Sequence, residues 1–320
     1  MLHEQVKRTL DESQSTPSYW AISIRRLLRK KIGVTCLVII ALMYGSGIFA
    51  PLVTPYGYND QDLSNTKQSP SLTHPFGTDR LGRDNLTRII YGLRTTVIIT
   101  VATLATGSLA LGITLGLVAG YFGRLVDTFI MRIGEVSSAF PEIFLVLIIV
   151  STFMPYITRW GRMLEDLVGF DILSLGVVDY LVLSLALAIF SWFGMARLVR
   201  GQVLQARENQ YVEAARSIGA STPRILLRHL LPNVMSPVIV TVSAGLAAVA
   251  GSEVLISFLG IGIQPPTPSL GLMIFENGSI SVLRSDPHLL LFPVLTLSLL
   301  LFTFNLLGDA VADAFNPRAR

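Results

Sequence analysis

The chain has 320 residues, of which 51% are hydrophobic and only 14% charged, more apolar surface than a soluble core of this size can hide. These proportions exclude an ordinary soluble globule and make the bilayer the solvent. The formal charge of +4 would suit nucleic acid, but the basic residues are segregated along the chain rather than gathered into one patch, which excludes that partner.

A bilayer core takes roughly 20 apolar residues of helix, and several uncharged stretches reach that length. Residues 1–31 form a polar tail with an amphipathic patch at Trp20, Ile22, Ile24, Leu27 and Leu28 that suits a membrane surface. No cleavable signal peptide is apparent, because more than thirty mostly polar residues precede the first apolar stretch. The first span lies between Lys31 and Asp60 and holds the lone Cys36, which has no disulfide partner in the chain. Arg25, Arg26, Arg29, Lys30 and Lys31 abut it as a basic anchor.

A loop rich in Pro, Asn, Gln and Ser follows from Ala50 to about Leu72, so residues 32–94 read as a first span with its outer loop. The second span lies between Arg94 and Arg124. The third runs from about Ile133 to Met154 and contains Glu135, Pro141 and Glu142, which predicts a kinked helix packed inside the bundle. An outer segment, Pro155 to Asp179, has room for a short helix at Met163 to Val168. The fourth, fifth and sixth spans lie between Asp179 and Arg197, Arg228 and Glu253, and Asp286 and Asp309. Between the last two, Pro265, Pro266 and Pro268 stiffen the start of the third outer loop, Gln264 to His288. With six spans and a cytoplasmic N-terminus, seventeen of the twenty-five Lys and Arg residues fall inside, so both termini are predicted to be cytoplasmic.

The inner loop from Arg197 to Asn233 is the most informative polar region. Val203 to Ile218 predicts one amphipathic helix, with Leu204, Tyr211, Val212, Ala215 and Ile218 on its apolar face. Gly219 fits a helix stop, and Thr222 with Pro223 predicts an N-cap and first turn leading through Ile225 and Leu230. Two short helices with a sharp corner result.

Tyr211, Glu213-Ala214-Ala215, Gly219-Ala220, Pro223 and His229-Leu230-Leu231-Pro232-Asn233 together resemble the EAA loop of ATP-binding-cassette importer permeases. The resemblance implies a helix seated in a groove of a separate ATPase subunit. Small Ala214, Ala215 and Gly219 allow close approach, and Glu213 offers a charge to a basic group. His74 to Asp84, with Gly77, Asp79, Gly82, Arg83 and Asp84, is similar to the dipeptide, oligopeptide and nickel branch, specifically its C-type permease. On chemistry alone this segment is a tight turn with local ion pairs. Glu253 through Gly271 also resembles that branch, although Leu270 stands where tryptophan is expected. The tail from Asn305 to Asp309, with Asp313 and Asn316-Pro317-Arg318, fits as well.

The resemblance implies an all-α polytopic protein with the type I importer transmembrane fold, its domain at 95–315 and its coupling loop at 197–233. It implies a prokaryotic inner-membrane location and a heterodimer with a homologous permease. Two ATP-binding subunits carrying ATP and magnesium and an extracytoplasmic binding protein complete the implied assembly. Glu253 and Glu142 are candidates for lining the pathway or pairing across the heterodimer.

The chain has no G-x-x-x-x-G-K-[ST] phosphate loop and no metal-ligand spacing around His3, His74, His229 or His288, and it shows no catalytic constellation. A non-catalytic subunit without its own cofactor is expected. Two other classes compete with it. An ion- or proton-coupled transporter would use Glu135, Glu142 and Glu253, but neither a repeat nor a pair of interrupted spans is visible. An intramembrane enzyme lacks a plausible set of catalytic groups.

Overall fold

In the computed structural model the described residues are 19–169 and 176–316. The expectations on residues 1–18, on 170–175, and on Pro317, Arg318 and Arg320 lie outside them. Six helices are long and apolar enough to cross a bilayer.

The basic anchor is a helix, α1 (Tyr19–Arg29), lying against the C-terminal end of the chain. Its patch divides. Trp20 and Leu27 turn inward, with Trp20 edge-on to Phe315 at 5.8 Å, while Ile22, Ile24 and Leu28 stay exposed. Lys30 then pairs with Asp313 at 2.8 Å before the first span, α2 (Lys31–Ile48), and a short α3 (Ala50–Val53).

The second span, α4 (Asn85–Phe122), and the fourth, α7 (Val177–Ala206), form the centre of the bundle. They run parallel and pack unusually close. A Cβ on Gly112 would lie 2.7 Å from Met195 Cβ, one on Gly116 2.7 Å from Val199 Cβ, and one on Gly120 2.7 Å from Val203 Cβ. Small residues every four positions let two helices approach backbone to backbone. Gly107 joins this face, with Ala188 O only 2.8 Å from its hypothetical Cβ, although it stands five residues before Gly112. The π-helical stretch Leu104–Gly112 supplies the extra residue that keeps both glycines on one face.

The third crossing departs from the predicted continuous span. It is broken into α5 (Arg124–Ser138) and α6 (Glu142–Val168), and Pro141 sits before α6 with φ −60° and ψ 120° rather than inside a kinked helix. Proline has no N–H to continue α5, and it pushes the preceding residue out of the helical region. Met163 to Val168 is the end of α6, not a separate short helix. Nor is α6 central, since only 11% of its most apolar window is buried, against 50% for α7. Of the two carboxylates only Glu142 turns toward the other spans, where it borders a cavity. Glu135 is exposed on α5 beside Arg132 at 3.0 Å, and Glu142 stands at the break.

The predicted helix over 203–218 is likewise interrupted. α7 ends at Ala206, a turn spans 207–209, and α8 (Gln210–Ser217) follows. At the turn Arg207 donates from Nη1 to Gly120 O at 3.1 Å. The next helix is capped at Ser221, one residue before the expected Thr222, and it is not short. It continues as the fifth span, α9 (Thr222–Phe258). Pro232 removes the donor that would bond Arg228 O, and a π-helical stretch at Ile225–Leu230 absorbs the disruption. α10 (Leu270–Asn277), α11 (Ile280–Ser285) and the last span, α12 (His288–Ala314), complete the bundle, with α12 antiparallel to α9.

Candidate functional site

Residues 207–233 build a corner at the end of the bundle that also carries α1 and the end of α12. Val212 and Ala215 of α8 and Ile225 and Leu230 of α9 are buried together with Val199, Val203 and Val234, which fixes the corner to the spans. The other side of α8 faces out. Tyr211, Glu213 and Ala214 are exposed, and Ile218 is 85% exposed, so the apolar face predicted through Tyr211 and Ile218 is corrected to Val212 and Ala215. Glu213 has no ion pair among the described residues and sits in the first turn of α8, where its charge suits the helix dipole.

Gly219 adopts φ +78°, and a Cβ there would meet nothing within 4 Å. The position needs glycine for its backbone, not for packing. Ile218, Gly219, Ala220, Arg224, Arg228 and His229 line a groove of about 260 Å³ at this corner. Leu227, 61% exposed, lies on the same turn of chain, and neither it nor Ile218 was singled out from sequence as an outward contact. Pro223 and Pro232 are exposed, Leu231 packs partly on the core below, and Asn233 is spent locally, donating to His229 O at 2.6 Å.

At the far end, the segment His74–Asp84 is held by a network of contacts within the chain. Asp79 accepts from Leu81 N, Arg83 N and Arg83 Nε at 2.8, 3.0 and 2.7 Å, and from Arg88 Nη1 at 2.7 Å. Arg88 also reaches Glu276 of α10 at 3.2 Å, tying the first loop to the third. Asp84 caps α4 by accepting from Thr87 N at 2.8 Å and meets His74 Nδ1 at 3.0 Å. Gly77 and Gly82 take φ +72° and +74°, and Cβ atoms there would strike the backbone of Gln68 and Asp62. Lys67 and the Ser285 hydroxyl both engage Asp286; the hydroxyl, more than Lys67, holds that carboxyl below its usual range.

Glu253 is fully buried within this one chain. Thr96, Ser257 and Ser269 donate to it at 2.9, 3.1 and 3.1 Å, which replaces the hydration a carboxylate loses in a span. Removing the acceptor with Glu253→Ala is expected to cost about 2 kcal/mol, because the buried hydroxyls of Ser257 and Ser269 lose their acceptor, while Thr96 can still donate to Gly92 O at 3.3 Å. Glu253→Gln keeps an acceptor and should cost less than half as much, as thermal unfolding of the purified protein would read. Equal losses for both would contradict this account. Glu142, by contrast, borders a cavity between α4, α7 and α9.

Six spans with a structured corner at one end make this a polytopic membrane protein. The chain belongs to the binding-protein-dependent transport system inner membrane component family, whose model matches residues 112–320. Residues 18–70 match the N-terminal transmembrane domain of oligopeptide transport permease C. Among similar proteins, a dipeptide transport system permease of Alkalihalophilus pseudofirmus is 34% identical, covering 97% of this chain and 93% of that one. An oligopeptide transport system permease of Bacillus subtilis is 32% identical over 96% and 92% of the two chains. A glutathione transport system permease of Pectobacterium atrosepticum is 36% identical over 97% and 94%. The protein is therefore a multi-pass inner-membrane permease subunit of an ATP-binding-cassette importer and a non-catalytic member of its complex. Membership displaces the ion-coupled and enzymatic alternatives.

Proposed function

We propose that this subunit forms, with a homologous permease, the pathway of a short-peptide importer, and that residues 207–233 relay motion to it from a separate ATPase. The corner carries the reading. Its buried half is welded to the spans, while its outward half offers small residues, exposed Ile218 and Leu227, and a groove lined by Arg224 and Arg228. Because α9 runs without a break in the helix from Thr222 to Phe258, a push at the corner acts on a lever that reaches the middle of the bundle. The substrate class rests on the relatives, described as dipeptide, oligopeptide and glutathione permeases.

Two ATP-binding subunits would hold ATP and magnesium, and an extracytoplasmic protein would deliver the solute. The corner and both termini face the cytoplasm in this reading. With six spans, seventeen of the twenty-five Lys and Arg residues fall on that side, as the positive-inside rule requires.

Purification of tagged protein in mild detergent is expected to bring down two ATP-binding subunits and a second permease. In proteoliposomes with its binding protein, this complex should accumulate labelled dipeptide only when ATP is supplied. Transport by the isolated chain, or labelling of residues 207–221 by an impermeant reagent added outside intact cells, would sink the proposal.

A further inference from the structure

The break between α5 and α6 sets Glu142 at the depth of the bundle's middle. Gly134 of α5 packs against Phe193 of α7, and Val146 of α6 packs with Leu183 and Leu187, so the intervening residues lie beside the centre of α7. There Glu142 lines a cavity of about 220 Å³ together with the hydroxyl-bearing Thr103, Ser108, Ser191, Thr241 and Ser252. No lysine or arginine lines it. Gly194 and Gly245 also border this space, and a Cβ on either would meet nothing within 4 Å. They differ in this from the packed glycines of α4, for they widen a passage rather than seal a contact.

Glu142 itself has no ion pair and no hydrogen bond among the described residues, and its side chain does not cap α6. A carboxylate at this depth carries a cost that a helix N-terminus offsets only in part. Glu253, by comparison, is satisfied by three hydroxyls. One intramembrane carboxylate is thus closed off and supported by the chain, while the other stands bare on a cavity wall.

We propose that Glu142 is a specificity residue of the pathway, receiving the ammonium group of a cationic or zwitterionic solute as it passes. The inference rests on the importer reading above and adds the charge that the pathway selects. A single carboxylate attracts the cation, the surrounding hydroxyls solvate it weakly, and nothing else fixes it, so it can leave as readily as it enters. An anion of equal size meets repulsion at the same place.

The test reads charge selection without requiring knowledge of the solute. Cys36, the one cysteine of the chain, is replaced by serine, and Ser191→Cys or Thr241→Cys is introduced as a reporter in the reconstituted complex. Each reporter is treated with trimethylammonium-ethyl or sulfonato-ethyl methanethiosulfonate. With Glu142 present, the cationic reagent is expected to react about tenfold faster, relative to a free thiol, because one charge acts at close range. Glu142→Gln should bring the ratio within about twofold of unity, and Glu142→Asp should retain it. A ratio that Glu142→Gln leaves unchanged overturns the proposal, as does failure of both reporters to react at all. A purely structural Glu142 would not move the ratio. Uptake of a free-amine dipeptide should also fall about tenfold in Glu142→Gln, and wild-type uptake in that variant overturns the proposal while leaving the importer reading intact. Absence of ATP-driven uptake in the unmodified complex overturns the importer reading, and the reagent ratio still decides the role of Glu142.

Discussion

Gly219→Leu is expected to leave the protein in the membrane at near-normal levels and to cut ATP-driven uptake at least about tenfold, with ATP hydrolysis continuing. The left-handed backbone at φ +78° costs a residue with a Cβ about 1–2 kcal/mol, which a bundle of this size tolerates. Nothing lies within 4 Å of the new Cβ, so no core contact is broken. What changes is the groove of Ile218, Ala220, Arg224, Arg228 and His229, which a leucine side chain would obstruct. Gly219→Ala carries the same backbone strain without that bulk, and Gly219→Asn relieves part of the strain because asparagine tolerates this conformation. Loss in leucine but not in alanine assigns the effect to docking. If leucine transports normally, the corner does not relay motion; if alanine and leucine fail alike, backbone strain is the cause. Dipeptide accumulation in proteoliposomes, phosphate release and membrane abundance, measured side by side, decide among these.

Much of the corner was legible because its signals are local. Gly219, Pro223 and the small residues of α8 lie within one short stretch, and each acts on its own backbone or its own surface. The spans bracketed by charges were legible for the same reason, since length and apolarity need no partner. Failures came where the deciding contact is distant in sequence. The helix over 203–218 breaks where Arg207 reaches across to Gly120, a contact that no periodicity within the segment reveals. The hydroxyl cradle of Glu253, read from sequence as a pathway-lining or partner-facing charge, was not legible because two of its three donors, Thr96 and Ser269, come from other elements. A signal did exist: Thr95, Thr96, Thr100 and Thr103 recur at helical spacing in an otherwise apolar span, and all four are buried. The third crossing was misplaced because proline inside an apolar run suits both a kink and a break. Only the packing of α5 and α6 on α7 distinguishes them.

Arg88→Ala is expected to be the most damaging single change at the far end, lowering stability by about 3 kcal/mol, because it takes one of two arginines from buried Asp79 and leaves the partly buried Glu276 with none. The Arg88 side chain is almost wholly buried and bonds Asp79 and Glu276, whose elements are separated by most of the chain. Asp79 would keep Arg83 and two backbone donors, so its turn should survive locally. Glu276 would lose its arginine, and the tie between the first loop and α10 would go with it. Arg88→Lys keeps the charge but a single ammonium cannot copy the fork that serves both carboxylates, so an intermediate loss is expected. Adding Glu276→Gln to Arg88→Ala should recover part of the stability, since the second change removes the charge the first left unpaired. Thermal unfolding of the detergent-solubilised complex reads these three variants against the wild type and Glu276→Gln alone. Recovery in the double variant identifies the loss as electrostatic; strictly additive losses would mean that Arg88 acts through packing of its stem. In either case α4 begins at this cluster and ends against α7 near the corner, so slack at one end of that helix is slack in the wall of the cavity that Glu142 borders.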